Sequence, residues 1–342
     1  MKEKILLLCP AFSNYHIAIK SKLIDMGYEV ILEDGIKYYN KVKKYSKTHL
    51  ETRIYSKKIL ELKKEWNEYL LEKYSKIVVD YLIVIKGDSL NENFLTDFRK
   101  SKLQTRFILY QWDSKKAFNY KYLLPYFDSC FSFDSNDCEE DDQLEYLPLF
   151  FLDLYNMNTK SSDLTNDLFF VGGNLVITSK TGTIGYNGIL NFIKAHTTKS
   201  FYKKRDDLLY EIICNNRYSF DFIIDGGHGK YKDIKGFNYI SDRISHKEIT
   251  DRLKVSKVIV DMNTPWQSGL TMRSIETLAA GKKLITTNEN VKKEAFFDNR
   301  NILIFDPYKT NFSVSEEFVN SDFIATNMNN YSLESFLKRL LS

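Results

Sequence analysis

Paired cysteines are missing from this sequence. Its four cysteines, Cys9, Cys130, Cys138 and Cys214, are scattered, none forms a CxxC, and no His/Cys cluster has zinc-ligand spacing. This excludes a disulfide-stapled module and a structural zinc domain, and it suits a reducing cytoplasm. Long apolar runs are missing as well: no stretch reaches the roughly 18 apolar residues that a membrane-crossing helix needs. The apolar part of the opening MKEKILLLCP is too short for a signal-peptide core and reads as a first β-strand. A strong charge bias is also lacking. A formal net charge of +4 over 342 residues is far from the basic excess of nucleic-acid binders, so no nucleic-acid partner is expected. The first β–α turn, CPAFSNYH, has no GxGxxG, which argues against a Rossmann dehydrogenase. Internal repeats and low-complexity tracts are absent.

What is present is material for two cores. With 43% hydrophobic and 15% aromatic residues, the chain exceeds one ordinary domain and predicts two. Lys4–Cys9 reads as a strand, Tyr15–Met26 as a helix that Gly27 is placed to cap, and Glu29–Leu32 as a second strand, which makes a β-α-β unit. Runs at Tyr81–Ile85, Arg106–Tyr110 and Ser129–Phe133 each end in a polar cluster (KGDS, WDSK, DSND), where functional loops of open α/β sheets sit. After a polar stretch at 156–166 the pattern restarts. Leu168–Val171, Asp221–Ile224, Lys257–Met262 and Leu284–Thr287 read as strands, and Ser245–Leu253 and Thr271–Ala280 as helices. The expected fold is α/β, with two Rossmann-like domains facing each other across a cleft. Residues 1–155 form the first, 156–166 a linker, 167–312 the second, and 313–342 a helical tail packing back across both. Domain interfaces of this kind are favoured ligand sites.

Residues 37–76 interrupt the first domain with twelve Lys/Arg against five Glu. Tyr55, Ile59, Leu62, Trp66, Tyr69 and Lys73 recur at spacings of three and four, an amphipathic helix with a basic, tyrosine-rich approach. Two readings stand: a long surface helix packed on the sheet, or a surface that meets anionic lipid or a charged acceptor glycan.

The chemistry concentrates in VIVDMNTPWQSGLTMRSIETLAAGKKLITTN, residues 258–288. A buried strand ends at Asp261, a loop leads to Gly269, and a helix begins at Leu270–Thr271. Backbone N–H groups at a helix start, with the positive end of its dipole, attract anions, and Gly269 lets a ligand approach the main chain. Arg273 and Glu276 share a helix face. A guanidinium pairs with phosphate oxygens, and a carboxylate one turn deeper accepts from a ribose diol. The same pair also fits an ordinary i, i+3 surface ion pair worth well under about 1 kcal/mol.

The run from His246 to Asn288 resembles the donor-binding half of GT-B glycosyltransferases, and is most similar to the CgeB-like type found in capsule and lipopolysaccharide biosynthesis. The matching text is SHKEITDRLKVSKVIVDMNTPWQSGLTMRSIETLAAGKKLITTN. By that resemblance Glu276 binds the donor ribose, Gly269, Leu270 and Thr271 face the diphosphate, and Arg273 neutralises its charge. FVGGN resembles the glycine turn facing donor phosphate, which implicates Gly172 and Gly173, and LYQWDS is similar to a recurring segment of the first domain. Large retaining families of this fold carry a second glutamate ahead of the ribose glutamate, with seven residues between the two. Here that place holds Ser268, beside Gln267, so the anomeric outcome stays open. The scattered cysteines and the lack of a membrane-crossing run suit a cytoplasmic protein, soluble or peripheral at the membrane's inner face, and the resemblance implies an enzyme. It would move sugar from a nucleotide-sugar to a saccharide or lipid-linked glycan, without metal or cofactor.

An inverting transfer also needs a base for the acceptor hydroxyl. The candidates are His16, Asp88 and Asp113, each following a first-domain strand and each also explicable as a helix-start or turn-capping residue. His228, in GGHGK, reads as a donor-side loop residue. A sugar-nucleotide epimerase and a catalytically degenerate binding partner are the competing readings; the basic insert favours transfer to a large acceptor.

Overall fold

The computed structural model describes residues 2–48, 52–157, 164–178, 203–214, 217–226, 229–264, 267–309 and 312–342. It divides into two compact units: Met1–Leu147 with Leu337–Ser342, and Pro148–Phe336.

The first unit holds a six-stranded, wholly parallel sheet. Its strands are β1 (Lys4–Leu8), β2 (Glu29–Glu33), β3 (Tyr81–Ile85), β4 (Arg106–Gln111), β5 (Ser129–Ser132) and β6 (Glu145–Tyr146), in the order β2-β1-β3-β4-β5-β6. Leu7 lies between Leu32 on one side and Ile83 on the other. Near-continuous apolar runs are what a sheet covered on both faces requires, and β1, β3 and β4 have them. The chain winds outward from β1 to β2 and then crosses to β3, so the sheet's topological switch point lies between β1 and β3.

Helices α1 (Tyr15–Asp25), α2 (Ile36–Thr48), α3 (Thr52–Tyr74), α4 (Glu92–Ser101) and α5 (Ser135–Glu139) complete the unit. The basic insert folds as two helices. The stripe of α3 that joins the core is Leu62, Trp66, Leu70 and Tyr74. Lys73 remains exposed, paired with Glu33 at 2.9 Å, so the periodicity was sound but its inward face is turned by about one residue.

The second unit repeats the layer scheme with strands β7 (Asn166–Gly173), β10 (Phe220–Asp225), β11 (Phe237–Ile240), β12 (Ser256–Asp261), β13 (Lys283–Thr286) and β14 (Ile302–Ile304); β8 (Val176–Thr178) and β9 (Lys203–Lys204) form a separate antiparallel pair. The main sheet is parallel in the order β11-β10-β7-β12-β13-β14. Three strands run one way from β7 and three the other way from β12, the doubly wound dinucleotide order, with its switch point between β7 and β12. The remaining helices are α6 (Arg205–Cys214), α7 (His246–Lys254), α8 (Met272–Ala279), α9 (Glu316–Asn320) and α10 (Leu333–Leu341). Ser245 and Glu248 form a complete capping box on α7. Among the described residues no helix is long and apolar enough to cross a membrane.

Candidate functional site

In the second unit the end of β12 meets the start of α8. Thr271 caps that helix: its Oγ1 accepts from the Ser274 N–H at 3.2 Å and donates to Asp261 at 2.5 Å. Ser274 Oγ donates to the same Asp261 oxygen at 2.7 Å. The carboxylate that ends β12 thereby fixes where α8 begins.

The loop before Thr271 is held by three asparagine amides. Asn263 Nδ2 donates to the Gly269 carbonyl at 2.9 Å. Asn288 Nδ2 donates to the carbonyls of Ser268 at 3.0 Å and Gly269 at 3.1 Å, and Asn290 Nδ2 donates to Ser268 at 3.0 Å. A trans peptide carries its N–H opposite its carbonyl. Fixing the Ser268 and Gly269 carbonyls therefore turns the N–H groups of Gly269 and Leu270 away from the amides. Neither N–H donates a hydrogen bond among the described residues. In the same loop, Asn263 Oδ1 and Thr264 Oγ1 are buried and unpartnered. Gln267 and Ser268 are half-buried beside this turn.

Across the switch point, Gly172 and Gly173 end β7. Arg205, first residue of α6, donates from Nη1 to the Gly173 carbonyl at 3.1 Å and from Nη2 to the Met262 carbonyl. Its guanidinium ties β7's end to the residue following β12, and its Nε has no partner. A Cβ at Gly172 would lie 3.2 Å from Arg205 Nη1 and 3.0 Å from the Phe170 ring, so glycine makes room for the cation. Burial pulls Arg205 below the usual guanidinium range, with Asp261 opposing.

Arg273 and Glu276 stand together on α8. Arg273 Nη1 lies 2.9 Å from Glu276, whose side chain has no solvent exposure while that of Arg273 keeps 15%. The guanidinium carbon sits 5.9 Å from the centre of the Tyr155 ring. This is an enclosed ion pair, which sets aside the surface-pair alternative.

The three base candidates lie in the first unit. His16, in the first turn of α1, is 7% exposed, and its Nδ1 has no partner. Burial lowers its pKa, partly opposed by Asp34, so the ring is neutral at pH 7. Asp88 and Asp113 both pair with Lys86, at 3.2 and 2.9 Å, and Tyr39 donates to Asp88 at 2.5 Å. Lys86 has a φ of 73°, a left-handed conformation costing a non-glycine residue about 1–2 kcal/mol. Burial pushes the Lys86 ammonium down, but Asp88 and Asp113 outweigh it and hold the group above its ordinary range. The structure thus joins Asp88 and Asp113 in one ionic cluster at the β1/β3 switch point, beside a pocket lined by Cys9, Asp34, Tyr39, Trp66 and Gly87. His228 lies outside the described residues.

Arg205, Lys86, Tyr155 and the three asparagines had no place in the sequence reading. The asparagines had a faint signal, since Asn288 and Asn290 follow a buried strand end. Arg205 had none, because its partners are backbone carbonyls 32 and 57 residues away.

No protein-family model matches the chain, and no curated protein sequence is similar to it. Solved structures are similar in fold. The alpha,alpha-trehalose-phosphate synthase (UDP-forming) of Burkholderia xenovorans, in complex with glucose-6-phosphate, superimposes with a TM-score of 0.60 at 9% identity, covering 99% of this chain and 100% of that one. An E. coli trehalose-6-phosphate structure bound with UDP-2-fluoro glucose gives 0.56 at 10% identity, covering 99% of each. The glycotransferase of kitacinnamycin gives 0.50 at 10% identity, covering 99% and 96%. These likenesses show the fold: α/β, with two Rossmann-like parallel sheets of six strands, of the GT-B class.

Proposed function

We propose that this chain is a glycosyltransferase that takes a sugar from a nucleotide-sugar and passes it to a saccharide or lipid-linked glycan in bacterial surface-polysaccharide synthesis. One observation carries the donor half: the asparagine-clamped turn at the β7/β12 switch point, which offers the Gly269 and Leu270 N–H groups at the start of α8. The diphosphate sits on those donors, and Arg205 and Arg273 supply positive charge. Glu276 takes the ribose hydroxyls. Because its carboxylate is enclosed, the ribose reaches it when Arg273 turns from the carboxylate to the diphosphate, exchanging one anionic partner for another.

The acceptor belongs to the first unit, at the β1/β3 switch point. Among the three base candidates His16 is favoured, since it is neutral with an unpartnered ring nitrogen, whereas both aspartates are bound to Lys86. The exposed lysines of α2 (Lys37, Lys41, Lys43 and Lys44) support peripheral contact with an anionic membrane. The proposal includes no metal or cofactor.

The test is a thermal-shift screen with UDP, GDP, CDP, CMP, ADP and dTDP, alongside Arg273→Ala and Glu276→Ala. A ligand at a hundred times its dissociation constant stabilises the chain by about 2.7 kcal/mol. One nucleotide should shift the melting point selectively, and Arg273→Ala should weaken that shift. Absence of any shift refutes the donor site. Transfer is then separated from epimerisation by whether product release requires an added saccharide.

A further inference from the structure

Tyr155 meets the Arg273–Glu276 pair from outside α8. The chain reaches it through the buried run Leu149, Phe150, Phe151 and Leu152. The Phe151 N–H donates to the Tyr331 carbonyl at 2.9 Å, and the Leu333 N–H donates back to Phe151 at 3.2 Å, which anchors this segment within the second unit. A 3-10 turn, Asp153–Tyr155, closed by the Tyr155 N–H on the Leu152 carbonyl at 2.8 Å, then turns the ring inward, where it has no exposure.

Three charged or titratable side chains meet that ring. Arg273 lies over its face, 5.9 Å from the centre. The hydroxyl is 3.0 Å from His246 Nδ1, at the first position of α7, and the two rings meet edge to face at 6.2 Å. Glu276 completes the group through its 2.9 Å pair with Arg273. Burial, and then the Glu276 carboxylate, push the phenol above its ordinary range, and Arg273 opposes this.

We propose that Tyr155 is a positioning residue for Glu276, with His246 fixing the direction of its hydroxyl, and that it sets the preference for ribose over 2′-deoxyribose. The inference rests on the donor-site reading above. When Arg273 turns to a diphosphate, Glu276 loses its ionic partner. The Tyr155 hydroxyl, held from behind by His246, then orients the carboxylate toward a ribose diol. A carboxylate free to rotate would still bind one hydroxyl but would no longer select for the pair.

The experiment is calorimetric titration of the full chain with UDP, ADP, GDP and CDP, with their 2′-deoxy counterparts, and with inorganic pyrophosphate. Wild type should prefer the ribonucleotide by about tenfold or more, the worth of one charge-assisted hydrogen bond. Tyr155→Phe deletes only the hydroxyl and keeps the ring under Arg273. It should bring the preference to within about threefold and leave pyrophosphate affinity unchanged. His246→Ala should reduce the preference part of the way. An intact preference in Tyr155→Phe, or a parallel loss of pyrophosphate binding in it, overturns the proposal, and so does an undiminished preference in His246→Ala. A wild-type chain that binds nucleoside diphosphates with no ribose preference refutes the role of Tyr155 but leaves the donor site standing. One that binds none of them refutes both.

Discussion

Removing Arg273 should destabilise the chain far more than removing an ordinary helix-surface cation. Charges 2.9 Å apart interact by about 6 kcal/mol at an effective dielectric near 20, before the cost of taking both from water. Desolvation consumes several kcal/mol of this, so the pair's net contribution is modest. Stranding either member is not modest, and typically costs about 3–5 kcal/mol. Arg273→Ala leaves a carboxylate with no exposure and should fall in that range. Glu276→Ala should cost less, about 2–3 kcal/mol, since Arg273 keeps 15% exposure and the Tyr155 face. The double variant strands nothing and should cost little more than either single one. Urea unfolding of the four proteins at pH 7 should therefore give a coupling energy of about 2–3 kcal/mol. A coupling below about 0.5 kcal/mol is the behaviour of a surface pair, and it would refute both the enclosure of Glu276 and the exchange of partners proposed for Arg273.

Three further outcomes follow from single positions. Asn263→Ala removes the amide holding the Gly269 carbonyl and should cost about 1–3 kcal/mol in urea unfolding. It should also weaken pyrophosphate binding, and unchanged binding would show that the turn's orientation does not depend on the clamp. Gly236→Ala meets a φ of 104° and places a Cβ 2.6 Å from the Phe220 ring and 2.8 Å from its carbonyl oxygen. A melting point within about 2 °C of wild type would contradict that geometry. His16 has a folded pKa below its unfolded value of 6.5, so the unfolded chain binds the extra proton between the two. Wild type should lose stability as pH falls through 6.5, and His16→Gln should lack that component; parallel stability curves from pH 7.5 to 5 would refute it.

The fold was legible where burial writes a continuous apolar run. Tyr81–Ile85 was read to the residue, and β1, β4, β10, β12 and β13 to within one or two residues at either end. Three of the four edge strands of the main sheets gave no such signal. Glu145–Tyr146, Phe237–Ile240 and Ile302–Ile304 are two to four residues long and partly exposed, too short for an alternation to register. The order of the strands was not legible either, because nothing local in β7 or β12 records that they lie side by side with ninety residues of numbering between them.

The same division runs through the candidate site. Gly269, Thr271, Arg273 and Glu276 occupy one short stretch, so loop, cap and helix face follow from spacing alone. What fixes them comes from elsewhere: Asn288 and Asn290 after β13, Arg205 at the head of α6, Tyr155 from the segment that enters the second unit. Each acts through a backbone carbonyl or another side chain, and carbonyls carry no residue identity for a motif to record. The sequence is therefore informative about groups that would touch a ligand and nearly silent about those that aim them. Tyr155 belongs to the second kind, and for that reason its role is best read from a ratio of affinities rather than from loss of binding.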